Sequence, residues 1–119
     1  QGTRMFSNSG ASAYATSKAG QVAFGRMCAL EFAAHHIRVN TICPGAIRTH
    51  IGDHTTVRDS AQRLHLPVTF PRGSIPLTTG HPGSAGQIAE LVLFLASDNS
   101  SHVTGTEVFI DGGESLLLG

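Results

Sequence analysis

One tyrosine and one lysine occur among the 119 residues, Tyr14 and Lys18, four positions apart in the run AYATSKA. Every other cationic side chain is an arginine, so lysine is not this chain's general surface charge. On a helix, positions i and i+4 share a face. A phenol titrates near ~10 and carries protons poorly at neutral pH. An ammonium held one turn away favours the phenolate and brings such a group toward the range where proton transfer is useful. The ammonium also has donors for a sugar hydroxyl of a bound cofactor. A plainer account fits the same pair, a half-buried tyrosine beside a lysine whose stem lies along the helix.

A second group of candidates follows the apolar run IRVNTIC: Pro44, Gly45, Ala46, Ile47, Arg48 and Thr49. In open α/β sheets ligands bind beyond the carboxyl ends of the strands, and this turn lies at such an end. Gly45 permits close approach of a backbone or ligand, and the Ile47 backbone and Thr49 hydroxyl offer partners for an amide or phosphate. Read alone, it is equally an ordinary strand-ending turn. His50 and His54 are four apart but fall in a stretch without helical period or an obvious third ligand, so no metal site is expected.

The elements that must position these residues can be read from periodicity. Residues 1 to about 10 read as a loop, and a helix runs from about Ala11 to His35, its apolar positions Val22, Phe24, Met27, Leu30 and Phe32 forming a stripe. The small residues in its first half allow something to approach closely, and Ser12 reads as a helix-start residue. Ile37 to Cys43 reads as a buried strand stopped by Pro44 and Gly45. Residues 46 to about 83 are weakly patterned, with a short helix near Val57 to Leu64, and a stretch of this length reads as a functional lid.

Ser84 and Gln87 form a capping box opening a second helix with Ile88, Leu91, Val92 and Leu95 on one face, ending near Asp98 and Asn99. Thr106 to Gly113 reads as a second strand. The order helix, strand, lid, helix, strand gives an α/β class with a right-handed parallel crossover. Two parallel strands with so few helices cannot cover both faces of a sheet, so the chain reads as one edge of a larger doubly wound sheet.

Composition excludes several classes. Eight basic residues balance eight acidic ones, which leaves no basic stripe for nucleic acid and no polybasic membrane surface. No apolar run approaches the ~20 residues of a membrane span. Cys28 and Cys43 lie in a helix and a buried strand without metal-ligand spacing, which points to reduced thiols and a cytoplasmic setting. The start QGTRMFSNSG has neither an initiator methionine nor a signal-peptide layout and reads as the middle of a longer chain.

In order, YATSK, IRVNTICPGAIRT and GQIAELVLFLASDNSSHVTGTEVFIDGG closely resemble the C-terminal half of the short-chain dehydrogenase/reductase family. The resemblance covers essentially the whole chain and is least distinctive from His54 to Phe70. It implies that residues 1–119 are the C-terminal part of one Rossmann-like dinucleotide-binding domain, moving a hydride between NAD or NADP and a small carbonyl or alcohol substrate. Tyr14 would be the proton donor or acceptor, and Lys18 would assist it and bind the nicotinamide ribose. Pro44, Gly45, Ile47 and Thr49 would line the nicotinamide and pyrophosphate end, with Asp111, Gly112 and Gly113 ending the last strand in a structural role. The chain's stop soon after that strand favours the single-domain branch of the family.

The resemblance also implies a homo-dimer or homo-tetramer. The family's Gly-rich phosphate loop, active-site asparagine and catalytic serine belong before Gln1, so this segment alone is expected neither to bind a dinucleotide tightly nor to turn over. A non-catalytic Rossmann-like scaffold subunit is the alternative from another class, and a small autonomous interaction domain is a weaker one, disfavoured by an unpaired apolar sheet edge.

Overall fold

The computed structural model describes residues 11–50 and 75–117. The first helix, α1, spans Ser12–Phe32. It opens without a side-chain cap; Ala11 is the cap residue, and the Ala15 N–H donates to its carbonyl at 2.8 Å. Ser12 is therefore a helix-start residue by position only. The helix tightens into a 3₁₀ turn at Ala33–His35 and is stopped by His36, whose φ of 59° is left-handed. Histidine is one of the few non-glycine residues enriched in that region.

Of the apolar stripe expected of α1, Val22 is buried and the other four residues face outward. Val22, Cys28 and Ala29 are buried, whereas Phe24 and Leu30 are 71% and 72% exposed and Met27 and Phe32 also face outward. The inward face is made of small side chains because the helix lies close to the strands. A Cβ at Gly25 would sit 2.7 Å from Thr41 Oγ1, and one at Gly105 would meet the Ala29 methyl at 3.5 Å. An ion pair from Arg26 to the buried carboxylate of Glu107 ties the same helix to the second strand.

Strand β1 is Thr41–Pro44 and strand β2 is Glu107–Ile110. They pair in parallel, Thr41 opposite Glu107 through Pro44 opposite Ile110. The first strand begins four residues later than the apolar run suggests. Residues Arg38 to Asn40 still run beside 103–106, but side chains replace much of the ladder there. Val39 N–H donates to Thr104 Oγ1 at 3.1 Å, Asn40 Nδ2 to the Val103 carbonyl at 2.9 Å, and Asn40 Oδ1 accepts from Thr106 N–H at 3.3 Å. Pro44 ends the strand without loss of pairing, since the donors spent on β2 come from alternate residues, Thr41 to Thr106 and Gly45 to Ile110.

Between the strands lies α2, Ala85–Ala96, started by the expected capping box: Gln87 N–H donates to Ser84 Oγ at 3.3 Å, and Ser84 N–H to Gln87 Oε1 at 2.8 Å. Ile88, Leu91 and Leu95 of its expected face are half-buried, while Val92 is exposed. Its C-terminus is closed by a residue far away in sequence. Arg38 Nη1 donates to the Leu95 carbonyl and to Ser100 Oγ, each at 2.8 Å, and Nη2 to the Ser97 carbonyl at 3.1 Å. A guanidinium fork suits this place, where carbonyls lack helical partners and the helix dipole is negative. Ser100, 1% exposed, completes the cluster by donating to the Leu95 carbonyl.

The architecture is thus α/β with a parallel pair at its centre. The expected short helix at Val57 to Leu64, and most of the expected lid, lie outside the described residues. Among the described residues no helix is long and apolar enough to cross a membrane.

Replacing Arg38 removes a charged fork from several part-buried carbonyls. Arg38→Ala should cost the intact protein about 2–4 kcal/mol in urea denaturation, with Arg38→Lys recovering less than half. A loss below about 0.5 kcal/mol for the alanine variant would show that water replaces the guanidinium without penalty.

Candidate active site

Tyr14 and Lys18 fall in the first two turns of α1, on one face as their spacing requires. Lys18 Nζ lies 5.6 Å from the Tyr14 ring centroid and donates to Gln21 Oε1 at 3.3 Å. The tyrosine is 53% exposed. Ser17 turns its hydroxyl back onto the Tyr14 carbonyl, donating at 2.8 Å.

The second group reaches the same place from β1. Tyr14, Lys18, Pro44, Gly45, Ile47 and Thr49 all line one cleft of about 540 Å³ at the carboxyl end of the strand. These six residues are therefore brought together, while Ala46 and Arg48 of the same turn are not among the lining residues. Seven further residues line it that were not anticipated as site residues: Gln21, Val22, Thr41, Ile42, Cys43, Ile88 and Ala85, the last at the start of α2. The capping box at Ser84 could have signalled Ala85, since it marks a helix start that must lie near a strand end. Nothing marked Gln21 or Cys43.

An isolated parallel bridge between Ile47 and Gly83 brings the start of α2 to the cleft. Gly83 spends both its backbone groups there, donating to the Ala46 carbonyl and accepting from the Arg48 N–H, each at 2.9 Å. The bridge thus runs through the peptide groups flanking Ile47. Its own N–H and C=O point away from Gly83, as alternation along an extended segment requires.

Gly45 permits the close backbone approach its position suggested. A Cβ there would sit 2.5 Å from the Asp111 Cβ, 2.8 Å from its Cα and 2.9 Å from Glu114 Oε2. The close approach it permits is to the turn after β2. That turn is held by Asp111, whose carboxylate accepts from Gly113 N–H and Ser115 N–H, each at 2.9 Å. Gly112 and Gly113 have left-handed φ values of 63° and 86°, and Gly112 packs against Ile75 so tightly that no side chain fits. Glu114 then reaches back, Oε2 accepting from the Ala46 N–H at 3.2 Å.

Partial desolvation raises the Asp111 pKa, but hydrogen bonds from the Ser115 side chain, Ser115 N–H and Gly113 N–H outweigh it, leaving the carboxyl below its ordinary 3.8. A depressed carboxyl stabilises the fold above its unfolded pKa and loses that contribution as pH falls through the folded value. Among the described residues no three His, Cys, Asp or Glu side chains cluster as metal ligands. Cys28 and Cys43 are buried and form no disulfide.

Residues 1–115 match the family model described as enoyl-(acyl carrier protein) reductase. The chain is 38% identical over 112 residues to oxidoreductase UcpA of Salmonella typhimurium, covering 94% of this chain and 42% of that protein. It superposes on a 3-ketoacyl-ACP reductase from Sinorhizobium meliloti with a TM-score of 0.83 and 50% identity, covering 98% of this chain and 45% of that one. A 4-hydroxyisoleucine dehydrogenase mutant complexed with NADH and succinate is similar at a TM-score of 0.66 and 27% identity, over 87% of this chain and 40% of its own. The chain therefore spans less than half the length of these relatives.

The pH linkage of the Asp111 turn can be measured directly. Asp111→Asn should lower the melting temperature of the intact protein at pH 7. The gap from the unsubstituted protein should close as pH falls below about 4, where the carboxylate is protonated in the unfolded chain and then in the folded one. A gap that stays constant from pH 7 to pH 3 would mean the charge contributes nothing.

The parallel strand pair, the cleft at the strand's carboxyl end and the match along nearly the whole sequence lead to one conclusion: the chain belongs to the short-chain dehydrogenase/reductase family, with its Rossmann-type α/β fold.

Proposed function

We propose that this protein is an NAD(P)-dependent oxidoreductase acting on a small carbonyl or alcohol substrate, with Tyr14 as its acid/base. The observation that carries this reading is the convergence of Tyr14, Lys18, Pro44, Gly45, Ile47 and Thr49 on one cleft in a chain of this family. The relative bound to NADH supports a nicotinamide cofactor as the class of ligand.

The residues present suit the nicotinamide end of such a cofactor. The Ile47 N–H and C=O, turned away from the Gly83 bridge, would hold a carboxamide, and Thr49 lines the same cleft. Lys18 supplies ammonium donors to a ribose, exchanging its exposed bond to Gln21 for them. Bound there, the nicotinamide supplies or accepts the hydride.

The chain's own residues handle the proton. In reduction, the Tyr14 O–H bond breaks and its proton passes to the substrate oxygen as the carbonyl carbon gains hydride, leaving a phenolate. In oxidation, that phenolate takes the hydroxyl proton back. Lys18 holds positive charge beside whichever form carries the negative charge, and the low-polarity wall of Val22 and Ile88 strengthens that interaction. Phe24, Met27 and Leu30 on the outward face of α1 provide apolar surface for the homo-oligomer expected of the family.

The test is Tyr14→Phe in the intact protein, assayed with NADH and NADPH against a panel of small ketones and aldehydes. Turnover should fall by about 10²–10⁴ while nucleotide affinity changes less than about threefold. A variant keeping more than about a tenth of the turnover would overturn the assignment of Tyr14.

A further inference from the structure

The turn that lines the cleft is braced from behind by a carboxylate. The Ala46 N–H donates to Glu114 Oε2 at 3.2 Å, and the Ala46 carbonyl accepts from Gly83 N–H at 2.9 Å. Both peptide groups around Ala46 are thereby fixed, which sets the direction of the Ile47 N–H, on the side of its peptide away from Gly83. Gly45 is packed against the same carboxylate, leaving no space for the turn to shift toward β2.

The brace is itself preorganised. Asp111 locks the backbone at Gly113 and Ser115, the residues on either side of Glu114, and Glu114 N–H donates to the Asp111 carbonyl at 3.2 Å. The Gly112 carbonyl accepts from Leu77 N–H at 3.0 Å, which anchors this turn to a third segment. Glu114 is half-buried, so its bond to Ala46 is not simply exchanged for water.

We infer that Glu114 is a positioning residue for cofactor binding: its carboxylate holds the Gly45–Ala46 peptide so that Ile47 meets the nicotinamide end without reorganisation. The inference rests on the cofactor reading proposed above. A brace of this kind acts on affinity, because an unbraced turn must be ordered when the ligand arrives. It leaves the reacting groups on α1 untouched, so turnover at saturating cofactor is largely preserved.

The experiment compares Glu114→Ala and Glu114→Gln with the unsubstituted intact protein, using NADH and NADPH titrations, steady-state kinetics and unliganded thermal melts. Glu114→Ala should weaken nucleotide binding and raise cofactor KM by about 5–30-fold, with kcat within about twofold. Glu114→Gln, which keeps an acceptor oxygen, should restore affinity to within about threefold. If the alanine variant is insoluble, Glu114→Met keeps the bulk without the acceptor and carries the same expectation. Unchanged affinity in Glu114→Ala, or a lowered melting temperature with unchanged cofactor KM, overturns the inference and leaves the cofactor reading intact. Failure of the unsubstituted protein to bind either nucleotide overturns both.

Discussion

The parallel register of β1 on β2 is the constraint on which the rest of the described structure depends. Setting Pro44 opposite Ile110 makes both strands finish at one edge, so the turns that follow them emerge side by side. One turn, from Gly45 to Thr49, becomes a wall of the cleft, and the other, from Asp111 to Ser115, becomes its support. The contact between them explains residue choices that neither turn explains alone. Gly45 must lack a side chain because Asp111 occupies the space, and Glu114 can reach Ala46 only because the Asp111 carboxylate bends the backbone back toward β1. Pro44 can sit in the pairing because a parallel ladder draws donors from alternate residues, and its position falls on the unused phase.

Burial around this pair follows size more than hydrophobicity. A parallel sheet needs both faces covered, and α1 covers one with glycine, alanine and cysteine at close range while its phenylalanines and its leucine point outward. Close approach brings Tyr14 and Lys18 to the end of β1, which a helix held off by bulky side chains would not do. The cohesion lost with large buried groups is partly replaced by polar ones. Arg38 and Ser100 close the end of α2, Asn40 bridges to 103 and 106, and Arg26 meets Glu107 across the helix–sheet contact.

What the sequence made legible was what local spacing encodes. The Ser84–Gln87 box marked the start of α2 to the residue, the interval from Tyr14 to Lys18 placed both on one helix face, and Pro44 and Gly45 marked the end of β1. What stayed illegible depended on partners distant in the chain. Arg38 looked like part of a strand because IRVN alternates as a strand does, and only the fold brings it to the end of α2. Glu114 carried no motif, since its partner is a backbone N–H 68 residues away. The apolar stripe of α1 was real as periodicity, yet period alone does not say which face meets this chain's own strands.

The polar groups of this region divide into two kinds, and the division supports the cofactor reading independently of any one residue. Behind the cleft, the Asp111 carboxylate, the Gly112 carbonyl and the backbone donors from Gly113 to Ser115 are spent on internal bonds. At the cleft, the ammonium of Lys18 makes a long exposed bond to Gln21, and the Ile47 peptide groups take no part in the bridge beside them. A merely structural strand-ending turn gains nothing from such an arrangement, because water satisfies exposed groups in any orientation. Fixing the directions of donors and acceptors in advance lowers the conformational cost of binding a ligand with matching groups.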